Sequence, residues 1–111
     1  MEIRQITEDF AVAPQISPDH VKPIADAGFK SLVCNRPDTE DGAIDHALIE
    51  AAAKEAGVEF RFIPVVSGAI TPDNVSDMTA AIDTLPRPML AYCRSGARCA
   101  NLFMLVEQMR G

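Results

Sequence analysis

The chain has 111 residues, 48% of them hydrophobic and 23% charged, with a formal net charge of −6: one globular domain with a single core, too apolar for a disordered chain. The acid excess argues against a general binder of nucleic acid or of an anionic membrane, so an anion site here has to be local, built from a few arginines and backbone amides. No apolar run approaches the roughly 20 residues of a membrane span, and the acidic start MEIRQITEDF is unlike a signal peptide.

The segment from Ile3 to Ala13 reads as two short strands or a hairpin, with Ile3, Ile6, Phe10 and Val12 buried. Ser17-Pro18 supplies an N-cap and a first-turn proline for a helix that Gly28 ends. Pro23 inside it is expected to kink or shorten it. A strand runs from near Lys30 to Asn35. After the turn-rich NRPDTEDG, a helix from about Ala43 to Ala56 places Ile44, Leu48 and Ala51 on one face and closes at Gly57. Phe60, Phe62 and Ile63 belong to the next strand, broken at Pro64. Thr71-Pro72 caps a helix whose Val75, Met78, Ile82 and Leu85 recur at helical spacing. Met89 to Tyr92 is the last strand, and from about Cys99 onward Leu102, Val106 and Met109 mark a final helix.

Strands separated by helices imply parallel pairing, hence an α/β fold with a small parallel sheet flanked by helices, in one domain over residues 1–111. Ligands of such sheets bind beyond the carboxyl ends of the strands. Three loops lie there: Asn35 to Gly42, Val65 to Thr71, and Cys93 to Arg98.

The third loop, in AYCRSGARC (Ala91 to Cys99), joins the last strand to the final helix. Ser95, Gly96 and Ala97 are small enough for the backbone to curl with its amides inward, at a helix N-terminus that favours negative charge. Together with Arg94 and Arg98, these amides form an anion cradle and favour the Cys93 thiolate, whose pKa should fall well below about 8.5. Cys93 is therefore the expected nucleophile, and the expected partner is a small anionic substrate.

The chain as a whole resembles a bacterial family. VAPQIS (Val12 to Ser17), AGF (Ala27 to Phe29), CNRPD (Cys34 to Asp38), IPVVSG (Ile63 to Gly68) and AYCRSGARC are together similar to the phosphatase-like domain of beta-lactamase-hydrolase-like proteins, a family also described as candidate sulfur transferases. The resemblance implies a tyrosine-phosphatase-like fold of the dual-specificity type. It also implies a link to a sulfur-oxidising partner enzyme, since the family's domain can be fused to a sulfur dioxygenase.

Loop length separates two chemistries. Arg98 follows Cys93 after four residues, and Cys99 stands where the arginine of a tyrosine phosphatase would be. The shorter CRSGAR loop is similar to that of rhodaneses, which hold a persulfide. Dual-specificity phosphatases carry an aspartate after an IP-containing strand, where this chain has Ser67. The expectation is a sulfurtransferase: Cys93 takes the outer sulfur of thiosulfate or a persulfide, and Arg94 and Arg98 attract the donor. The alternative is a phosphohydrolase acting on a phosphate ester through a phosphocysteine, with Asp38 or Asp73 as acid, although Asp73 better suits the first turn of its helix. A redox-sensing or anion-binding regulatory domain is a third reading.

Cys34 ends its strand at the same sheet edge as Cys93, a position comparable to a second cysteine in lipid-type phosphatases, which makes it the candidate redox partner. Cys99 is the weaker candidate, because a side chain at a helix start is expected to turn away from the cradle. Asp38, Arg36 and Asn35 have access to the site from their loop. His20 and His46 are expected to face water. Neither a metal nor a cofactor is called for, and the chain is expected to be cytoplasmic, with its three cysteines as free thiols.

Overall fold

In the computed structural model, which describes residues 2–110, the short apolar runs and the longer helical ones become nine elements. They are β1 (Arg4–Thr7), β2 (Phe10–Ala13), α1 (Pro18–Asp26), β3 (Ser31–Cys34), α2 (His46–Glu55), β4 (Glu59–Phe62), α3 (Pro72–Thr84), β5 (Met89–Tyr92) and α4 (Ala97–Arg110). The strands form one sheet in the order β1-β2-β5-β3-β4, in which only the β1–β2 hairpin is antiparallel. Every residue of β2, β3 and β5 is buried. Strands covered on both faces read as unbroken apolar runs, as FAVA and MLAY do here.

The two faces carry separate cores. Val21 and Ile24 of α1 and Ile49 and Ala53 of α2 pack on one face with Leu32, Cys34, Leu90 and Tyr92. Met78, Ala81 and Leu85, at the α3 side, and Cys99, Leu102, Phe103 and Val106 of α4 cover the other, with Val33, Ala91 and Cys93. Successive side chains of a strand point to opposite faces, so Tyr92 and Cys93 are directed into different cores although they adjoin in sequence. Helix starts follow the expected chemistry: Thr71 Oγ1 accepts the Asn74 N–H at 3.1 Å, and Asn74 Oδ1 accepts the Thr71 N–H at 2.9 Å.

Three details of the helices and hairpin differ from the sequence expectation. Ile6 is 37% exposed because β1 is an edge strand with no buried residue. α2 starts at His46 rather than near Ala43, since Asp38 and Asp45 take the first free amides, those of His46 and Ala47, at 2.9 Å each. The later start leaves Ile44 outside the helix, whose buried residues are Ile49 and Ala53, with Leu48 and Ala51 exposed. α4 starts at Ala97 and outruns the sheet, so Met109 is exposed. α1 holds Pro23 within its nine residues and ends at Asp26, just before Gly28.

Candidate active site

Cys93 follows β5 directly, and its N–H donates to the Ala13 carbonyl at 3.3 Å, which ties the loop to the neighbouring strand end. Gly96 then lets the chain curl back: its φ of +92° is a conformation that side chains disfavour. The Gly96 N–H is thereby aimed at Cys93 Sγ, 3.1 Å away. Ser95 Oγ accepts the Ala97 N–H at 3.3 Å, capping α4 at its first residue.

These contacts set the proton affinity of the nucleophile. The Cys93 pKa falls to about 5: the Cys99 thiol makes the largest contribution, and the amides of Cys99, Gly96 and Ser95 add to it against the opposing effect of burial. Cys93 is therefore a thiolate at neutral pH. The amides and a neighbouring thiol, rather than the arginines, lead this stabilisation.

Cys93 opens into a cleft of about 840 Å³ at the carboxyl edge of the sheet, where all three expected loops meet. Arg36, Glu40 and Asp41 line it from the β3–α2 loop; Ser67, Gly68 and Ile70 come from the β4–α3 loop; Arg94, Ser95, Ala97, Arg98 and Asn101 complete it. The arginines differ in their freedom. Arg94 is exposed and makes no ion pair among the described residues. Arg98 is held: its Nη1 and Nη2 donate to the two Glu40 carboxylate oxygens at 2.9 and 3.2 Å, and Nη1 also reaches the Val65 carbonyl at 2.9 Å. Glu40 accepts from Arg36 Nε as well, at 3.0 Å. Two cations hold the Glu40 carboxyl below the usual range, with the Arg98 hydrogen bond leading.

The remaining sequence candidates are distributed around this cluster. Arg36 is buried and anchors its own loop, donating to Gln15 Oε1 at 3.0 Å and to the Asp41 carbonyl. Asp38 turns away from the cleft to His46, with Oδ2 2.6 Å from Nδ1. Burial would raise its pKa, but the His46 hydrogen bonds hold it down. Asp73 lies exposed in the first turn of α3 and does not line the cleft. Cys34 is buried in the core of the opposite face and donates its thiol to the Arg36 carbonyl at 3.4 Å. Cys99 does the reverse of what a helix-start side chain was expected to do: it turns inward and shares the core of Cys93.

Neither histidine simply faces water. His20 Nδ1 accepts the Ser17 N–H at 3.0 Å, and the His46 ring stacks on Phe62 with centroids 3.7 Å apart. Asp38, Asp45 and His46 bring ligand atoms within 4.8 Å of one another, but the group serves as helix cap and ion pair at the start of α2. Glu40, Asp41 and Asn101 are cleft residues that sequence reasoning missed. The only sequence signal of Glu40 and Asp41 is a place in the same turn-rich loop as Arg36.

The comparisons with known proteins agree with this architecture. Residues 2–109 match the family described as the phosphatase-like domain of beta-lactamase hydrolase-like protein. The beta-lactamase hydrolase-like proteins of Xylella fastidiosa (strain Temecula1) and Agrobacterium fabrum are 32% and 30% identical over 112 residues, taking in all of this chain. The chain spans only about a quarter, 26%, of the length of those relatives. Among solved structures, a candidate phosphatase from Neisseria meningitidis is 35% identical with a TM-score of 0.83, over 93% of this chain and 74% of that one. A candidate phosphatase from Shewanella putrefaciens (18% identical, TM-score 0.86, 98% and 69% covered) and the active form of Tk-PTP (15%, 0.65, 85% and 63%) share the fold. The fold and family are phosphatase-like, which sides with the phosphohydrolase alternative over the sulfurtransferase expectation. With its match over residues 2–109, the chain belongs to the phosphatase-like domain family of beta-lactamase hydrolase-like proteins.

Proposed function

We propose that this domain is a cysteine-dependent phosphohydrolase acting on a small phosphate ester. The observation that carries the reading is the Cys93 thiolate, pKa about 5, under the inward amides of a loop in a phosphatase-like fold. Cys93 Sγ attacks phosphorus, the ester P–O bond breaks, and the loop amides with Arg94 take up the charge on the oxygens. The leaving oxygen needs a proton, and Asp41 is the carboxyl free to give it, because Glu40 is committed to Arg98 and Arg36. Water then attacks the phosphocysteine, returns a proton to Asp41 and releases phosphate with the Cys93 thiolate restored.

One observation favours sulfane-sulfur transfer as a second reading. The guanidinium of Arg98 is held by Glu40 and the Val65 carbonyl, and Cys99 occupies the next position. This arrangement suits a persulfide better than a phosphoryl group with a bidentate arginine. In that reaction Cys93 attacks the outer sulfur of thiosulfate, the S–S bond breaks, sulfite leaves, and the persulfide sulfur passes to an acceptor. A sulfur-oxidising enzyme would be the partner that uses it.

A paired assay on reduced protein separates the two, with Cys93→Ser as control in each arm. Phenolate release from an aryl phosphate, blocked by vanadate and absent in the variant, is the expected result. Thiocyanate from thiosulfate and cyanide, with no phenolate, would replace the first reading by the second. Turnover of neither, with a reactive Cys93, would leave a redox-sensing domain and overturn both.

A further inference from the structure

The site contains a second thiol that makes and breaks no bond in either reaction. Cys99 is wholly buried and stands in the first turn of α4, with Leu102, Phe103 and Val106 following it at helical spacing. That spacing turns it toward the sheet, into the core that Cys93 shares. The two cysteines belong to one buried cluster with Val33 and Ala91 between sheet and helix, and Cys99 bears on the proton affinity of Cys93. Cys34, the other free thiol, lies across the sheet in the opposite core, in register with Tyr92 rather than with Cys93.

We propose that Cys93 and Cys99 form a reversible intramolecular disulfide that closes the site under peroxide and protects the nucleophile from irreversible oxidation. The inference rests on Cys93 being the reactive thiolate of the proposed function, and not on which substrate it attacks. A peroxide reaches Cys93, which lines the cleft, and does not reach Cys99, which does not. The Cys93 thiolate attacks the peroxide, the O–O bond breaks, and hydroxide leaves a sulfenic acid on Cys93. The Cys99 sulfur then attacks that sulfur, and its proton departs with the displaced hydroxide as water. An external dithiol reverses the step by exchange, leaving both cysteines reduced.

Burial favours the order of events. The Cys99 pKa lies well above that of an ordinary thiol, chiefly through burial, so Cys99 remains protonated until its neighbour is oxidised. The Cys93 thiolate it faces is the form that peroxide attacks. The pair is asymmetric by construction.

The test needs no variant for its first readout. The reduced protein is treated with a small excess of hydrogen peroxide, blocked with an alkylating agent and digested with trypsin without reduction. Cleavage after Arg94 and Arg98 places Cys93 and Cys99 on different fragments, and Cys34 on a third. The expected product is a disulfide joining the Cys93 and Cys99 fragments, lost on reduction together with full return of thiol reactivity. A Cys34–Cys93 linkage would overturn the assignment, and so would sulfinic acid on Cys93 beside an alkylated Cys99.

In Cys99→Ser, peroxide should drive Cys93 to sulfinic acid and make the loss of thiol reactivity irreversible. In Cys34→Ser the Cys93–Cys99 disulfide should form as before. Because linkage is read by mass, failure of the substrate assays leaves this result standing. Alkylation of Cys93 compared at pH 6 and pH 9 distinguishes the two failures: a Cys93 inert below pH 8 removes the common premise, whereas a reactive Cys93 without the linkage removes only the disulfide.

Discussion

Cys34 and Cys93 make a natural comparison. Each lies at the carboxyl edge of an adjacent strand of one sheet, and each is 1% exposed. Their proton affinities nevertheless move in opposite directions. Burial raises the pKa of Cys34, and the polar groups of Tyr92 and Arg36 near its sulfur offset this only in part. Cys93 pays the same desolvation but is met by the Cys99 thiol and three amides, and its pKa falls to about 5. Burial alone yields an inert thiol; a loop that brings donors to the sulfur yields a nucleophile.

The largest effect should come from removing that nucleophile. Cys93→Ser should reduce turnover of whichever substrate is accepted by at least about a thousandfold while leaving the fold intact by circular dichroism. The corresponding change at Cys34 should leave turnover within about twofold, so a matching loss there would erase the distinction between the two cysteines.

Gly96→Ala tests the loop itself. A Cβ at φ +92° would stand 3.4 Å from the Ala13 carbonyl carbon, and the conformational strain of about 1–2 kcal/mol should displace the amide that faces Cys93. We expect about a tenfold loss of turnover and a rise in the pH at which Cys93 becomes reactive. An unchanged pH profile would show that the Gly96 amide does not hold the thiolate.

Glu40→Gln addresses the clamp around the cradle. It leaves Arg36 and Arg98, both buried or nearly so, with one partner fewer, at a cost of about 1–3 kcal/mol read by denaturant unfolding. Smallest of all should be Cys34→Ala, a buried thiol traded for a methyl group, at about 1 kcal/mol and with the Cys93 pH profile unmoved.

Much of this contrast is legible in the sequence. AYCRSGARC places a cysteine between an apolar run and a helix start, with small residues where the backbone must curl, and the three loops of the cleft follow from strand-helix alternation. Cys99 carried a signal too, since it heads the stripe continued by Leu102 and Val106, but that stripe reads as packing until the loop is seen to curl over it. Glu40 could not be found this way. Its partner Arg98 is 58 positions along the chain, and nothing local distinguishes it from the solvated acids of NRPDTEDG. The inward face of α2 is hidden for a related reason: side-chain caps from Asp38 and Asp45 start the helix at His46, which leaves Ile44, a residue of the expected stripe, outside it.

The central claim is that Cys93 is a thiolate by virtue of its loop, and the most direct measurement is the rate of its alkylation by iodoacetamide as a function of pH. Because the folded pKa lies below that of an ordinary thiol, the thiolate's contribution to stability is complete above about pH 9 and is lost as the pH falls through about 5. Cys93 should accordingly alkylate at its full rate at pH 7, with the rate falling by half near pH 5, while Cys34 and Cys99 stay unmodified until the protein unfolds. A Cys93 rate that rises only near pH 8.5, like an unperturbed thiol, would contradict the account.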